Sequence, residues 1–326
     1  RCGALRRGVD PLRPELDWRT TTSIEVARAR AALLEATRSY FAEQAVLEVQ
    51  TPCLSRAAVS DLHIDSITTH VTGRPAFLRT SPEYAMKRLL ASGYPDIYEI
   101  GRVFRDGEQG ERHQPEFTMI EWYRRDFGLQ AIIDDTTTLL GRLCSDLLTG
   151  DIAQYTYDEA LEQATQLHSD SPTQRLIDYV GADIAATFAH DHDALLDYVF
   201  DTAVARQFES DRLTVVSHYP AAMAALAEIN DDSQRALRFE VYVGTLELAN
   251  GFVELRDAGE QRARFERDLA SRAQRDKTVV PLDERFLASL SAGLPHCAGV
   301  AVGFDRVVML ATGHRDIREV VSFSEL

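Results

Sequence analysis

DIYEIGRVFRDGEQGERHQPEFTMIEWYR, residues 96–124, alternates at both ends and loses its period in the middle. Over 96–105 a period of two places Glu99, Val103 and Arg105 on one face of a strand, and over 117–124 it places Phe117, Met119, Glu121 and Tyr123 on one face of a second. The residues between them, DGEQGERHQPE, are too many for a tight hairpin and too charged for a core. They predict a polar loop carried on two rigid strands, the kind of segment that bears binding groups.

Working outward, TTSIEVARARAALLEATRSYFAEQ (21–44) predicts a long helix from Thr22 to Gln44. Ala27, Ala31, Leu34 and Phe41 recur at helical spacing, Leu33 and Tyr40 widen the stripe, and Thr22 with Glu25 fits a capping box. Leu47-Glu48-Val49 then reads as a short strand closed by Thr51-Pro52. Downstream, Leu129 to Gly150 reads as a helix ending in a glycine cap, and 151–212 as a packed insertion of short helices with little chemistry. Strands resume at LTVVSHYP (213–220) and FEVYVGTLELANGFVEL (239–255), and a charged helix spans roughly 259–276. AGVAVGFDRVVMLATG (298–313) leads to a final strand. Strands at both ends of the chain with helices between them predict one α+β domain around a mostly antiparallel sheet, over 22–326, with 1–21 as an N-terminal extension.

Composition narrows the chemistry. The 326 residues include 35 basic and 51 acidic side chains, a net charge of −16, and 45% are hydrophobic. Such a chain can bury a core, and its acidic surface repels polyanions, which weighs against nucleic acid as the main partner. Cys2, Cys53, Cys144 and Cys297 form no CxxC pair, so neither a disulfide framework nor a thiolate zinc site is expected. No apolar run approaches the ~18 residues of a membrane span, and the first residues lack the apolar core of a signal peptide. The expectation is a cytoplasmic protein with no membrane partner.

Neither GxxxxGK[ST] nor GxGxxG occurs, so a nucleotide would have to be held by side chains. Arg105, Arg112 and Arg306 are the candidates, because a guanidinium offers paired donors to phosphate. Glu240, Glu247 and Glu254 recur seven apart around a turn at Gly244-Thr245. In a two-residue hairpin Tyr242 faces Glu247 and Glu240 shares their face, giving two carboxylates suited to a magnesium ion that carries polyphosphate. Asn250, Phe252 and Glu254 have the other parity and reach the same pocket only if the strand bulges or kinks at Gly251; otherwise the strand is an ordinary solvated edge. No Ser-His-Asp or Cys-His set emerges, and neither His113 nor His218 has a local partner for activating a nucleophile. Electrostatic positioning is favoured over covalent catalysis.

The chain resembles the catalytic core of the class II lysyl-tRNA synthetases, and more closely the short ligases of that family that modify elongation factor P. The resemblance covers about 22–324 and rests on TSPEYAMKRLL (80–90), FR followed by RHQPEFTMIEWY (112–123), ELANGFVEL (247–255) and GVAVGFDR (299–306), in that order. It implies that Arg105 and Arg306 are the catalytic cations, Arg105 on the α-phosphate and Arg306 against adenine and the phosphate tail. Asp106, Gly107, Glu108, Arg112, His113 and Gln114 match the loop over the nucleotide, and Phe117 matches the residue stacked on adenine. Leu248 and Gly303 complete that subsite, and Glu240 and Glu247 match the magnesium carboxylates. Ser81, Pro82, Glu83, Glu121, Tyr123, Asn250, Phe252, Glu254 and Ala301 match the amino-acid pocket.

The reaction implied uses ATP and magnesium to make an adenylate of β-lysine or lysine, then passes the acyl group to a lysine of elongation factor P. The helix and strand ending in Thr51-Pro52 look like the family's first motif, which implies a homodimer. Two positions depart from the pattern: Gly107 stands where the family has Glu, and Gln114 where it has Asn. Either Glu108 reaches the adenine through the freedom of Gly107, or nucleotide affinity is reduced. Little more than the lead to Trp18 precedes the first helix, less than the synthetases' anticodon-binding barrel, and Ala301 stands where the synthetases usually have Gly. Both features turn the expectation from tRNA to a protein acceptor. The alternatives are a truncated synthetase-like enzyme loading another carrier and a catalytically silent dimeric binding protein.

Overall fold

Ser23, one residue later than expected, starts the first helix in the computed structural model, which describes residues 18–324. Cys2 and most of the expected N-terminal extension lie outside those residues. Helix α1 (Ile24–Glu43) is capped by the Ser23 side chain, which accepts from the backbone N–H of Val26. Ser23 has the extended backbone an N-cap needs, so Thr22 and Glu25 form no capping box. The apolar stripe divides: Val26, Tyr40 and Phe41 are buried, while Ala27 and Ala31 face solvent.

Short strands β1 (Leu47–Glu48) and β2 (Leu54–Ser55) follow, then a hairpin of β3 (Thr68–Val71) and β4 (Arg74–Leu78) and helix α2 (Glu83–Ala91). β5 (Ile97–Phe104) and β6 (Glu116–Arg125) are the two alternating segments of the opening sequence, joined by the expected loop. α3 (Leu129–Leu143) ends at its C-cap Cys144, well before Gly150, whose backbone N–H bonds Asp211 instead. The glycine cap is therefore corrected.

The insertion is not wholly helical. It begins with β7 (Ala153–Thr156), which pairs in parallel with β8 (Thr214–Pro220). A parallel pair cannot be closed by a tight turn, and the crossover is made by α4 (Tyr157–Thr165), α5 (Thr173–Val180), α6 (Ala182–Thr187) and α7 (His192–Val199), followed by a π-helical turn over Phe200–Val204. These helices bury Leu161, Leu176, Leu195 and Val199 in a core they share with Val216 and Tyr219 of β8.

β9 (Arg235–Val243) and β10 (Leu246–Val253) form the expected hairpin, with Val243 opposite Leu246 and Gly244 at φ +54° in the turn. α8 (Ala258–Gln274), α9 (Glu284–Gly293), β11 (Cys297–Gly303) and α10 (Phe304–Thr312) complete the chain. The large sheet runs β1-β5-β6-β11-β10-β9-β8-β7, antiparallel except at its two edges, and β2-β4-β3 form a second, small sheet. The α+β architecture is as expected; the small sheet, β7 and α9 were not anticipated. The expected final strand is a 3-10 turn over Ile317–Glu319. β11 already has β6 and β10 on its two sides, so no edge is open to it there.

Candidate active site

One face of the large sheet gathers the polar side chains. β5 and β6 pair Glu99 with Glu121 and Val103 with Phe117. β11 sets Ala301 beside Glu121 on one side and Asn250 on the other, and Gly299 between Tyr123 and Phe252. The parity problem in β10 is solved by a bulge, but not at Gly251. Glu247 pairs with Tyr242 and Ala249 with Val241, so Leu248 is the extra residue and Asn250 comes opposite Glu240. Gly251 is needed for another reason: an added Cβ would lie 2.7 Å from Gly299 O, Phe239 and Val300.

At the acid-rich end, Glu121 is buried and accepts hydrogen bonds from Ser81 Oγ at 2.6 Å and Tyr123 Oη at 2.7 Å. Burial, and then the neighbouring charge of Glu83, pushes its carboxyl up to about 7. Ser81 Oγ also accepts from the Glu83 backbone N–H at 3.0 Å, and buried Pro82 caps α2, so the SPE triplet holds the first turn of that helix against β6.

Lys87, which the motif reading did not use, lies at the centre of this end. It is 0% exposed, pairs with Glu83 at 2.6 Å and with Glu254, and its ammonium lies 5.4 Å from the Phe252 ring. Burial alone would lower the Lys87 ammonium, but the Glu254 and Glu83 carboxylates more than offset it and raise it. Glu254 is also buried; burial outweighs Lys87 and pushes it up to about 8, and its Oε1 has no hydrogen-bond partner. A side chain at Gly299 would collide with Tyr123 and Glu254, so that glycine lets the two approach. The expected pocket of three carboxylates therefore already contains one cation. The signal was present in the sequence, because Glu83 and Lys87 are four apart on one helix face.

The other end is looser. The Arg105 guanidinium lies 5.1 Å over the Phe117 ring and 3.4 Å from both Thr80 O and Glu108 Oε1, long contacts for a charged donor. Gly107 has φ +76° with open space where a Cβ would be, so glycine there serves the turn that sends Glu108 back toward Arg105. Asp106 is exposed, and its backbone N–H bonds Asp65 O at 2.8 Å. Arg112 donates to Thr245 O and Oγ1, both at 2.8 Å. Arg306 donates to Glu247 O at 2.9 Å and lies 2.7 Å from His113 Nε2. That contact makes Nε2 an acceptor, and burial followed by the charge of Arg306 holds His113 below its usual pKa.

Gln114 and Leu248 are not brought into the cleft. Gln114 is buried and donates to Ser324 Oγ at 2.8 Å, and the Leu248 side chain belongs to the core under the sheet. The backbone N–H of Ile317 bonds Glu111 O at 2.8 Å, so the chain end braces the 105–115 loop. Gly303 is not demanded by packing against Arg306, since a Cβ there would make only ordinary contact with its side chain.

Between the two ends lie Glu240 and Glu247. Glu240 accepts from Tyr219 Oη at 2.7 Å, from Tyr242 Oη and from Arg238 at 2.6 Å. Burial, then the charge of Glu240, raises the Glu247 carboxyl. Glu247 has one oxygen without a protein donor, and Glu240 has a remaining lone pair on the oxygen facing Arg238, which fits a divalent ion bound mainly through phosphate and one or two carboxylates. Arg238 also lies 3.3 Å from Asn250 Oδ1, tying the two strands across the bulge. Asp305 accepts from the Thr118 backbone N–H at 2.7 Å and pairs with Arg30, fixing α10 against β6 and α1.

The family model of tRNA synthetases class II (D, K and N) matches residues 13–326. A protein of Avibacterium paragallinarum named elongation factor P–(R)-beta-lysine ligase is 40% identical over 319 residues, covering 95% of this chain and 98% of its own. Proteins of the same name from Klebsiella pneumoniae and Haemophilus ducreyi are each 41% identical over 318 residues, covering 94% and 95% of this chain and 97% and 96% of their own.

Proposed function

The chain belongs to the tRNA synthetases class II (D, K and N), and within that family we propose that it activates (R)-β-lysine with ATP and transfers it to a lysine side chain of elongation factor P. The observation that carries this reading is the shared sheet face, with a buried acid cluster at one end and Arg105 and Arg306 at the other. A substrate with two ammonium groups and one carboxylate spans those ends in the direction the reaction needs.

In the first step an oxygen of the amino-acid carboxylate attacks the α-phosphorus of ATP and diphosphate leaves. Arg105 meets the charge that builds on the phosphoryl oxygens, and Arg306 holds the phosphate tail. Phe117 stacks on the adenine, Arg112 and His113 close over the nucleotide, and Asp106, Gly107 and Glu108 form the turn beneath it. Glu240 and Glu247 would hold magnesium, which neutralises polyphosphate charge when bound. In the second step the acceptor amine attacks the acyl carbon, forming an amide and releasing AMP. Glu83, Glu121 and Glu254 recognise the ammonium groups, with Lys87 leaving a net negative pocket rather than a fully charged one. Ser81, Tyr123, Asn250 and Phe252 shape that pocket, and the methyl of Ala301, between Glu121 and Asn250, narrows it.

We also propose a homodimer through α1 and β1. Ala27 and Ala31 of α1 face solvent, and Ile24 of α1 and Leu47 of β1 are exposed at 66% and 45%. Sedimentation at micromolar concentration should give the dimer mass, and a monomer alone would remove this part of the reading. No described helix is long and apolar enough to cross a membrane. Because the proposed acceptor is a translation factor, we also propose that the reaction takes place in the cytoplasm. Incubation with ATP, magnesium, each lysine isomer and recombinant elongation factor P tests the whole. The acceptor should gain one lysyl residue by intact mass, most readily from (R)-β-lysine. Loading of a lysine-accepting tRNA instead would overturn the choice of acceptor.

A further inference from the structure

Beyond Glu240, on the same sheet face, a cavity of about 140 Å³ lies where the insertion meets β8 and β9. Its walls include Tyr157, Asp197, Asp201, Tyr219, Arg238 and Glu240. Tyr157 is 1% exposed and its hydroxyl has no hydrogen-bond partner, although its ring is fixed by stacking on Phe200 at 4.8 Å and by Tyr219 at 5.1 Å. A buried phenol left without a partner costs free energy unless something else reaches it. Glu240 is taken up by Arg238, Tyr219 and Tyr242, so the one guanidinium of the cavity is already balanced. Asp197 and Asp201 have no ion pair of their own to balance them among the described residues; they are one helical turn apart and straddle the start of the π-helical turn.

Such π-helical turns are frequent at functional sites, because the wider turn re-aims side chains at a cost in helix stability. Asp197 and Asp201 are both exposed, on the solvent side of the cavity, with Tyr157 on its buried side. Desolvation by the surrounding protein pushes the Asp197 carboxyl up to about 6, against the opposing charges of Arg238 and His63, while Glu240 and Asp193 raise it further.

We propose that this cavity is a second binding site, distinct from the amino-acid pocket, for a primary ammonium on a short alkyl chain. Two carboxylates supply the charge, Tyr157 Oη accepts one N–H, and Phe200, Ala205 and Met223 in the lining offer apolar surface to the chain. The ammonium can come from a free amine or from a lysine side chain of a protein.

The site is tested by titrating n-propylammonium chloride into the full chain by calorimetry, with n-propanol as the uncharged control. Asp197→Asn should weaken ammonium binding at least tenfold and Tyr157→Phe about threefold, while Glu83→Gln in the amino-acid pocket leaves it intact. Should Asp197→Asn fail to fold, Asp201→Asn takes its place. Because the amino-acid pocket also takes an ammonium, the readout is the binding event that remains in Glu83→Gln: its absence there, its persistence when either Asp change is added to Glu83→Gln, or an equal response to n-propanol overturns the proposal. Free lysine and Nα-acetyl-lysine methylamide, titrated into Glu83→Gln, identify the source: a binding event of either that is lost when Asp197→Asn is added supports the site, and no such event from either refutes it. Because this readout is binding to the insertion, it can fail while lysyl transfer to elongation factor P succeeds, and the reverse.

Discussion

The acid-rich and arginine-rich ends of the cleft share one sheet but are built on different principles. Glu121, Glu254 and Lys87 are buried on β6, beside β10 and on α2, and they hold one another in place before any substrate arrives. Arg105, Arg112 and Arg306 are partly or fully exposed, rest on backbone carbonyls and a neighbouring loop, and keep donors to spare. Selectivity for a small cation needs a rigid cage, because charge in a low dielectric is worth most when nothing has to rearrange. Nucleotide entry and diphosphate release need groups that can let go.

The largest test of this contrast removes the internal cation. Near pH 9, where Glu254 is ionised beside Lys87, Lys87→Met strands Glu83 and Glu254 without their partner and should cost about 3–5 kcal/mol of folding stability in urea titrations. A loss below about 1 kcal/mol would mean that the acids simply take up protons and that the cage is not preformed. At the other end, Arg105→Ala should leave the urea midpoint unchanged but slow ATP-dependent diphosphate release by roughly 3 kcal/mol, more than a hundredfold. Release within threefold of wild type would take Arg105 off the phosphate.

A third test uses protons. Glu121 and Glu254 titrate at about 7 and 8 in the folded chain, above the ordinary carboxyl value of 4.5, so the folded state holds more protons than the unfolded one in between. Their contribution to stability is therefore full below pH ~4.5 and is lost as pH rises through about 7 and 8. Glu121→Gln should flatten the lower part of that decline. Binding of the amino acid near pH 6.5 should also release protons, because both acids are mostly protonated there and an ammonium favours their charged forms, measurable by calorimetry in buffers of different ionisation enthalpy. Uptake, or no change, would place the ammonium groups elsewhere. The smallest effect belongs to the loop. Glu108→Ala should weaken ATP use by about 1 kcal/mol and narrow the preference over GTP, since Gly107 turns that carboxylate inward. Parallel ATP and GTP titrations of diphosphate release check it, and an unchanged preference would leave Glu108 as a solvated partner of Arg105.

The strands, the 105–115 loop and the Gly244-Thr245 hairpin were legible because alternation and turn chemistry are local signals. The position of the bulge was not. Gly251 invited it by composition, whereas Leu248 takes it because an extra apolar residue can be buried beneath the sheet without leaving a polar group unpaired. Lys87 was missed because a lysine in a helix reads as surface, and only the convergence of Glu254 from a strand far along the chain makes its burial tolerable. β7 escaped notice because a strand of four half-exposed residues has no periodic signature to read. Gln114 misled in the opposite way: its place in the motif suggested the cleft, and the distant Ser324 claimed its amide.

The parallel pairing of β7 with β8 has a consequence for biosynthesis. An open antiparallel edge at β8 would present a ladder of unpaired backbone groups to any other nascent chain nearby. β7 covers that margin with only four residues of its own, too few to template an extended fibril, and β1 closes the opposite margin with two. Since β7 leaves the ribosome before β8, the guard is made ahead of the strand it protects, and the helices of the crossover are the delay that separates them.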